Sequence, residues 1–517
     1  MSDEFNRGFT VSEIAPFERA IEFTHETTAA FVGRALRGPL NTPVLVENFA
    51  AFTRRFGSIW RRSALGPAVE QFFEHGGRKL YVVRVANNAR GAMVCLPANG
   101  DALVLRALEP GSTENIRAAV DYDGIADGDE ERFNLVIQRV APDTSLVADQ
   151  EIYLRLSCRE GARNFVADVL LDSSLIRVQE PLPNCRPTRT SRFGTRFEAS
   201  YAGHAQRGSD GQALSDYDLV GSAVRGTGLF ALDQVERFDL LYLPPPARGV
   251  DLGPAATLAA ELYCRKRGAM LVMDPPENWH TPVDALKGVR DAGFSSPNML
   301  SYFPRMNLRD DAQTSPRCIG GAIAGLVCKL DRQYGAWEDL NQSGLSINRK
   351  YRPASEVSPE EAQALVRAGL NVVAESAAGR AKVCGSVTMG SGSQMDRRYS
   401  RLRVRRLCLT ITRAIERATR WAVFEQDEEA IAERLLGQVD GYMSQLAQAG
   451  AFEGGRFAVQ CNAGFESHAA DADRGVSILL TFQPAGDDEE LALTLHQTVT
   501  GFRVATTAFG PVNAAVA

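Results

Sequence analysis

The sequence predicts a multidomain protein of the α/β-plus-β class. It combines a β-rich sandwich or barrel insert, an α/β domain and an α+β C-terminal domain. Three observations predict this. The chain has 517 residues, too many for one ordinary hydrophobic core, and domains of roughly 100–200 residues imply about three packed units. Short apolar runs separated by turn residues fill 91–212, the rhythm of an antiparallel sandwich or barrel. From 215 to 395 strand and helix patterns alternate, which favours a mostly parallel sheet.

Residues 1–26 hold few apolar anchors and read as an N-terminal arm. In 27–90, Thr27–Val32 is strand-like and stops at Gly33, and Pro43–Val46 gives a second short strand. Asn48 can cap a helix carrying Phe49, Phe52 and Phe56 before Gly57. Ser63 can cap the next helix, where Leu65, Ala68, Val69, Phe72 and Phe73 form an apolar stripe that ends at His75-Gly76-Gly77. Lys79–Val85 then resumes as a strand.

In 91–214, the runs Ala102–Leu108, Ile116–Tyr122, Phe133–Val140, Glu151–Cys158, Phe165–Leu171 and Leu175–Val178 read as strands. The stretch 179–214, rich in Pro, Ser, Gly, Thr and Arg, reads as a linker or surface loop. In 215–395, the strands Phe238–Leu243, Ala269–Met273, Met299–Phe303 and Lys382–Met389 alternate with helices over 254–267, 281–292 and 318–333. The last segment, 396–517, reads helix, helix, strand, strand over 401–422, 427–449, Gly475–Phe482 and Glu490–Thr500, then a tail.

Composition excludes several classes. With 44% hydrophobic and 23% charged residues the chain is neither disordered nor fibrous. Its 57 basic and 63 acidic residues give a formal charge of -6, the wrong balance for coating nucleic acid. No apolar run reaches the roughly 18 residues of a bilayer span, so direct membrane insertion is not expected. The N-terminus MSDEFNRGFT lacks a signal-peptide pattern, which predicts synthesis and folding in the cytoplasm. Nine scattered cysteines without a C-x-x-C pair predict reduced, mostly buried thiols.

The α/β region invites an enzyme, an α/β hydrolase above all, yet the required motifs are missing. No G-x-S-x-G elbow occurs, and Gly390-Ser391-Gly392-Ser393 has the wrong spacing. There is no P-loop or G-x-G-x-x-G, since Gly226-Thr227-Gly228 lacks the third glycine and the following helix. Asp274 follows a strand with His280 nearby, but no nucleophile is in reach, so loop polarity is the better reading. The acidic run Asp121–Glu131 resembles a calcium loop at a glance. Ile125 and Ala126 stand where an oxygen ligand and a glycine are required, so a solvated hairpin turn is expected. No cofactor or metal is predicted.

One charge pattern stands out. The helix 401–420 carries seven arginines and one acid, Glu416. Arg406, Arg413, Arg417 and Arg420 share one face by spacing, opposite a core stripe of Leu407, Ile411, Ile415 and Ala418. An acidic block follows: Glu425, Asp427, Glu428, Glu429 and Glu433. A second, Asp487–Glu490, precedes the last strong strand. Two solvated helix faces would account for this, and so would complementary surfaces that meet another chain.

Six or more blocks in co-linear order resemble the contractile phage-tail sheath proteins. They include TAAFVGRALRGPLNTPVLV (28–46), FAAFTRRFGS (49–58), LGPAVEQFFEHGGRKLYVVRV (65–85) and, more weakly, EPGSTENIRAAVDYD (109–123). NMLSYFPRM (298–306), CIGGAIAGLVCKLDRQYGAW (318–337) and AGLNVVAES (368–376) follow, then RRYSRLRVRRLCLTITRAIERATRWAVFE (397–425), the most specific block. Two departures stand out. Gln426-Asp427-Glu428 replaces the family's Pro-Asn-Asp, and Pro484–Leu491 replaces a P-(x)₂-P-A-E-F run.

The resemblance implies a structural, non-enzymatic protomer of a virion tail or phage-tail-like particle. In that family, subunits stack as rings around an inner tube and contract, and terminal arms add strands to the sheets of neighbours. A subtilisin-like α/β domain without catalytic residues, implied by the family, would correspond to 215–395. The implied partners are copies of the chain, the inner tube protein, and baseplate and tail terminator or cap proteins. Arg406, Arg413, Arg417 and Arg420 become candidates for gripping the tube, and Glu425, Asp427, Glu428, Glu429, Asp487 and Asp488 for an acidic inter-subunit surface.

Overall fold

The computed structural model describes residues 21, 26–141, 146–190, 201–202, 205–293, 295–310, 316–342, 344–376, 379–390, 399–423, 428–463, 475–498 and 501–507. The N-terminal arm expected over 1–26 lies outside the described residues except for Ile21 and Glu26. The chain forms two compact units: a larger one of 26–333 and 338–402, and a smaller one of 1–25, 334–337 and 403–517.

The larger unit begins with β1 (Ala29–Gly33), every residue of which is buried. After β2 (Val44–Val46) comes α1 (Phe49–Phe56), whose first turn is capped by Asn48 accepting the Ala51 N–H at 2.8 Å. Gly57, at φ 89°, ends it in a conformation that favours glycine. The helix α2 (Leu65–Glu74) starts where the Ser63 hydroxyl accepts the Leu65 N–H at 3.0 Å, and β3 (Leu80–Arg84) completes this part.

The insert follows with β4 (Met93–Ala98), β5 (Asp101–Ala107), β6 (Asn115–Asp121), β7 (Arg132–Val140), β8 (Val147–Ser157), a short α3 (Val166–Val169) and β9 (Ile176–Gln179). Two three-stranded antiparallel sheets result, β4-β5-β9 and β6-β7-β8. Val94, Leu96, Leu103 and Leu105 of one share a single apolar core with Ile116, Val120, Phe133, Leu135 and Ile137 of the other. Two sheets on one core make a sandwich, and among the described residues no sheet closes into a barrel.

Residues Phe165–Leu171, expected as a strand, are instead α3 and a 3-10 turn. Val166 and Leu170, four apart, both reach the core, which is helical spacing. The presumed linker 179–214 is stitched back onto the insert and core: Gln206 pairs with Met93, Ala202 with Ala118 and Gln212 with Asn87.

The chain then runs through α4 (Asp216–Val220), β10 (Leu240–Tyr242), α5 (Pro254–Arg267), β11 (Met270–Met273), α6 (Pro282–Asp291), β12 (Met299–Phe303), β13 (Met306–Leu308), α7 (Gly320–Tyr334), β14 (Tyr351–Pro353), α8 (Pro359–Arg367), β15 (Asn371–Glu375) and β16 (Ala381–Cys384). The main sheet has eight strands in the order β16-β15-β12-β11-β10-β1-β3-β2. The six central strands are parallel and both edge strands antiparallel. The strand expected over Lys382–Met389 stops at Cys384, because Gly385, at φ 92°, turns the chain.

Helices cover both faces of this sheet. Ala30 and Val32 of β1 join Ala256, Ala260 and Tyr263 of α5 in one core. On the opposite face the Phe31 ring meets Phe72 of α2 at 5.5 Å and Tyr242 at 5.1 Å. There α2 and α7 lie parallel and very close: a Cβ on Gly321 would fall 2.2 Å from the Ala68 carbonyl oxygen, and one on Gly325 2.4 Å from that of Phe72. The glycine-rich start of α7 exists to permit that approach.

The chain leaves the larger unit at Leu402, the first residue of α9 (Leu402–Thr419). Next come α10 (Glu428–Gln448), β17 (Phe452–Ala463), β18 (Gly475–Pro484), β19 (Leu491–Thr498) and β20 (Gly501–Thr507). The four strands form an antiparallel sheet in chain order, with β17 and β20 as its edges. Strand β18 alternates strictly, burying Val476, Ile478, Leu480 and Phe482. Sequence reading expected two strands here and missed β17 and β20.

Candidate assembly surfaces

The smaller unit carries the sequence-singled charges. On α9, Leu407, Ile411 and Ile415 are fully buried, as the apolar stripe requires. Burial pushes the Cys408 thiol beside them up to about 12, so it is an inert core thiol. The arginine face divides in two. Arg417 and Arg420 are exposed and Arg413 is half-buried, but Arg406, which shares their face by spacing, is only 6% exposed. Spacing fixes direction around the helix but says nothing of what covers it. Further toward the N-terminus, Arg403 donates from Nη2 to the Gly486 carbonyl at 2.7 Å and from Nη1 to that of Ala485, tying α9 to the β18–β19 turn.

At the other end of α9 a cationic and aromatic group gathers. Arg420 pairs with Glu416 at 3.2 Å, and the Arg434 guanidinium lies 4.5 Å from the Trp421 ring centre. The Trp421 Nε1–H donates to Gln438 at 3.3 Å. Sequence reasoning missed Arg434 and Trp421, because their partnership crosses from α9 to α10.

Of the acidic candidates, Glu425 and Asp427 lie outside the described residues. Glu428 and Glu429 are the first two residues of α10. Asp487 turns toward Arg403 at 3.9 Å, while Asp488 is exposed on the β18–β19 turn with Glu489 and Glu490.

The enzyme candidates are occupied with structure. One Asp274 oxygen accepts the Ile319 and Gly320 N–H groups at 2.9 Å each, and the other accepts the Tyr242 hydroxyl. The carboxylate thus caps α7 rather than facing His280, which is exposed. Burial, and then the Asp274 charge, raises the Tyr242 hydroxyl well above its usual range, keeping it a donor. In the Asp121–Glu131 connection, now the β6–β7 turn, Asp121 accepts from Asn134 at 2.7 Å and Asp129 from the Arg132 N–H at 3.0 Å. Glu131 pairs with Arg159 at 3.1 Å, and Asp123 with Arg189. Among the described residues no group of three or more His, Cys, Asp or Glu is arranged to hold a metal ion, and no helix is long and apolar enough to cross a membrane. All nine cysteines are free, but only Cys158, Cys264, Cys328 and Cys408 are buried; the other five are half-buried.

No family model matches the chain, and no curated protein matches its sequence. Its fold, in contrast, is shared with solved structures over nearly its whole length. The sheath tail protein of Listeria innocua is 14% identical with a TM-score of 0.62, and the likeness covers 93% of this chain and 96% of that one. The sheath tail protein of Desulfitobacterium hafniense is 14% identical with a TM-score of 0.54, covering 92% and 98%. The helical sheath of the anti-feeding prophage in its contracted state is 14% identical with a TM-score of 0.52, covering 100% and 99%. The mixed α/β architecture with several sheets is therefore the fold of these sheath proteins.

Proposed function

We propose that this chain is the protomer of a contractile tail sheath, polymerising helically around an inner tube and contracting to drive that tube through a target envelope. The observation that carries the reading is structural similarity to sheath subunits along the full chain, with both units included. The four-stranded sheet of the smaller unit supports it. Its edges β17 and β20 are suited to accept or donate strands between copies, since backbone hydrogen bonds join chains at sheet edges. Such head-to-tail contacts propagate instead of closing. The parallel sheet of the larger unit, whose Asp274 is spent on a helix cap, fits a subtilisin-like scaffold used for packing.

In this reading contraction is a rigid-body change between two packings, with the arms as tethers. The C-terminal end of α9, with the half-buried Arg413 and the exposed Arg417 and Arg420, grips the tube in the extended state through charge contacts that release at little cost. Baseplate and terminator proteins would bound the polymer.

Purified protein should form long hollow tubes by negative-stain microscopy; a persistent monodisperse monomer would overturn the proposal. Replacing Arg413, Arg417 and Arg420 with Glu should preserve sheath polymers but abolish co-purification of tube protein. If tube protein is retained, the grip lies elsewhere. An α/β hydrolase would be revived by a fluorophosphonate label on a serine within 215–395.

A further inference from the structure

In the main sheet the chain steps from β1 to β3 on one side, then returns to β10 and continues through β11, β12 and β15 on the other. The order therefore reverses between β1 and β10, and loops leaving the carboxyl ends of those strands meet there. They bring arginines together. Arg34 follows β1 directly, and its guanidinium lies 4.8 Å from the Trp60 ring centre. Arg61 and Arg62 precede Ser63, whose hydroxyl donates to the Arg34 carbonyl. Arg248 follows β10. Arg317 precedes α7, where the Gln71 side chain of α2 donates to the Cys318 carbonyl at 3.0 Å. The N-terminus of α2 adds positive potential at the same end, whereas that of α7 is already met by the Asp274 carboxylate.

Internal acids do not balance its exposed members, Arg61, Arg62 and Arg248. Asp251 is committed to Arg305. Burial lowers the Arg248 pKa, and the positive charges of Arg317 and Arg61 lower it further. Arg34 is lowered by burial, partly offset by Asp210, and lowered again by Arg62. Arg61, Arg62 and Arg248 are exposed, and none lies within ion-pair distance of a carboxylate among the described residues. Holding like charges together costs stability unless an anion arrives.

The chain carries a fitting anion. In the β6–β7 turn the carboxylates of Asp123, Asp129 and Glu131 are engaged by Arg189, Arg132 and Arg159. On the β18–β19 turn only Asp487 is engaged, and Asp488, Glu489 and Glu490 stand exposed at a hairpin tip.

We propose that Arg61, Arg62 and Arg248 receive the acidic tip Asp488–Glu490 of a second copy of this chain. The contact joins the larger unit of one copy to the smaller unit of the next, so it is heterologous and propagates. It rests on the sheath reading and adds a specific docking pair to it.

Charge exchange tests the pair. With wild-type tubes as reference, Arg61→Glu with Arg248→Glu, and separately Glu489→Arg with Glu490→Arg, should each lower the sedimentable fraction at least tenfold at low salt. The combined protein should recover it. Circular dichroism, with Arg61→Gln and Arg248→Gln as a second variant, separates lost docking from misfolding. Full assembly of both one-sided variants, or no recovery in the combined protein, overturns the pairing.

A photo-crosslinker at Glu489 gives a readout even where no tubes form, so failure of the sheath reading remains distinguishable. The crosslink should reach peptides containing Arg61, Arg62 or Arg248 of an isotope-labelled second copy, and crosslinks elsewhere overturn the contact. Calorimetric binding of pyrophosphate that is lost in Arg61→Glu with Arg248→Glu, while assembly persists, would overturn it by assigning the cluster to a small anion.

Discussion

The seam between α2 and α7 and the outer face of α9 use charge and volume in opposite ways. At the seam, Gly321 and Gly325 let two helices approach until carbonyl oxygens of one lie against the other's backbone, and Phe72 fills the space against Phe31. On α9 the core stripe is equally well buried, but Arg417 and Arg420 remain outside. The first region spends its sequence on being one body, and the second keeps charge at the surface, which the proposed sheath role would give to another molecule.

That contrast can be broken by experiment, beginning at the seam. Phe72→Ala should destabilise the larger unit by about 3–5 kcal/mol, because a fully buried ring leaves a cavity that helices on both sides hold open. Urea denaturation followed by tryptophan fluorescence measures it. Gly321→Ala should cost about 1–3 kcal/mol by overpacking, read in the same experiment; a neutral result would mean that the helices can part freely. Asp274→Asn removes charge from the α7 cap and should cost about 1 kcal/mol.

The α9 face should behave differently. Arg417→Gln and Arg420→Gln should leave unfolding within about 0.5 kcal/mol of wild type, since exposed charges contribute little to folding. A loss comparable to that of Gly321→Ala would erase the distinction. The smallest effect concerns pH. Asp284 and Glu361, held below their usual range first by side-chain or backbone hydrogen bonds from Thr281 and Ser358, close capping boxes on α6 and α8. Their depressed folded pKa values contribute stability above the unfolded carboxylate range, and that stability is lost as pH falls through the folded values. Replacing both with Ala should lower the neutral plateau slightly and leave the acid end unchanged, so that the acid limb of the stability–pH curve flattens.

Local signals explain what was readable beforehand. The helix over 254–267 was expected with its observed bounds, because Pro254 opens it and Gly268, in the left-handed region at φ 63°, closes it. The strand Met299–Phe303 is apolar but for Ser301 and buried throughout. Strand β17 was missed because its start contains Gly454 and Gly455, both at positive φ, beside a register shift between Phe452 and Phe457. Among site residues the α9 stripe was visible as a period. The burial of Arg406 and the Arg434–Trp421 contact were not, since neither has a local cause. The arginine cluster between β1 and β10 was equally hidden, as its members come from positions 34, 61, 62, 248 and 317.

The placement of β1 has a consequence in time. Ala29 pairs with Leu240, so the first strand of the main sheet waits for a neighbour made 211 residues later. At a synthesis rate of roughly 5–20 residues per second, that delay is on the order of 10–40 s. Throughout it, β1 can pair only with β3, which has β2 on its other side, and α7, which seals the Phe31 face, is still unmade. Pairings this distant in sequence make folding slow and late. A nascent chain therefore presents an apolar three-strand ribbon with β1 as its open edge long before it presents a finished subunit, and this interval is where chaperones would act most strongly on its yield.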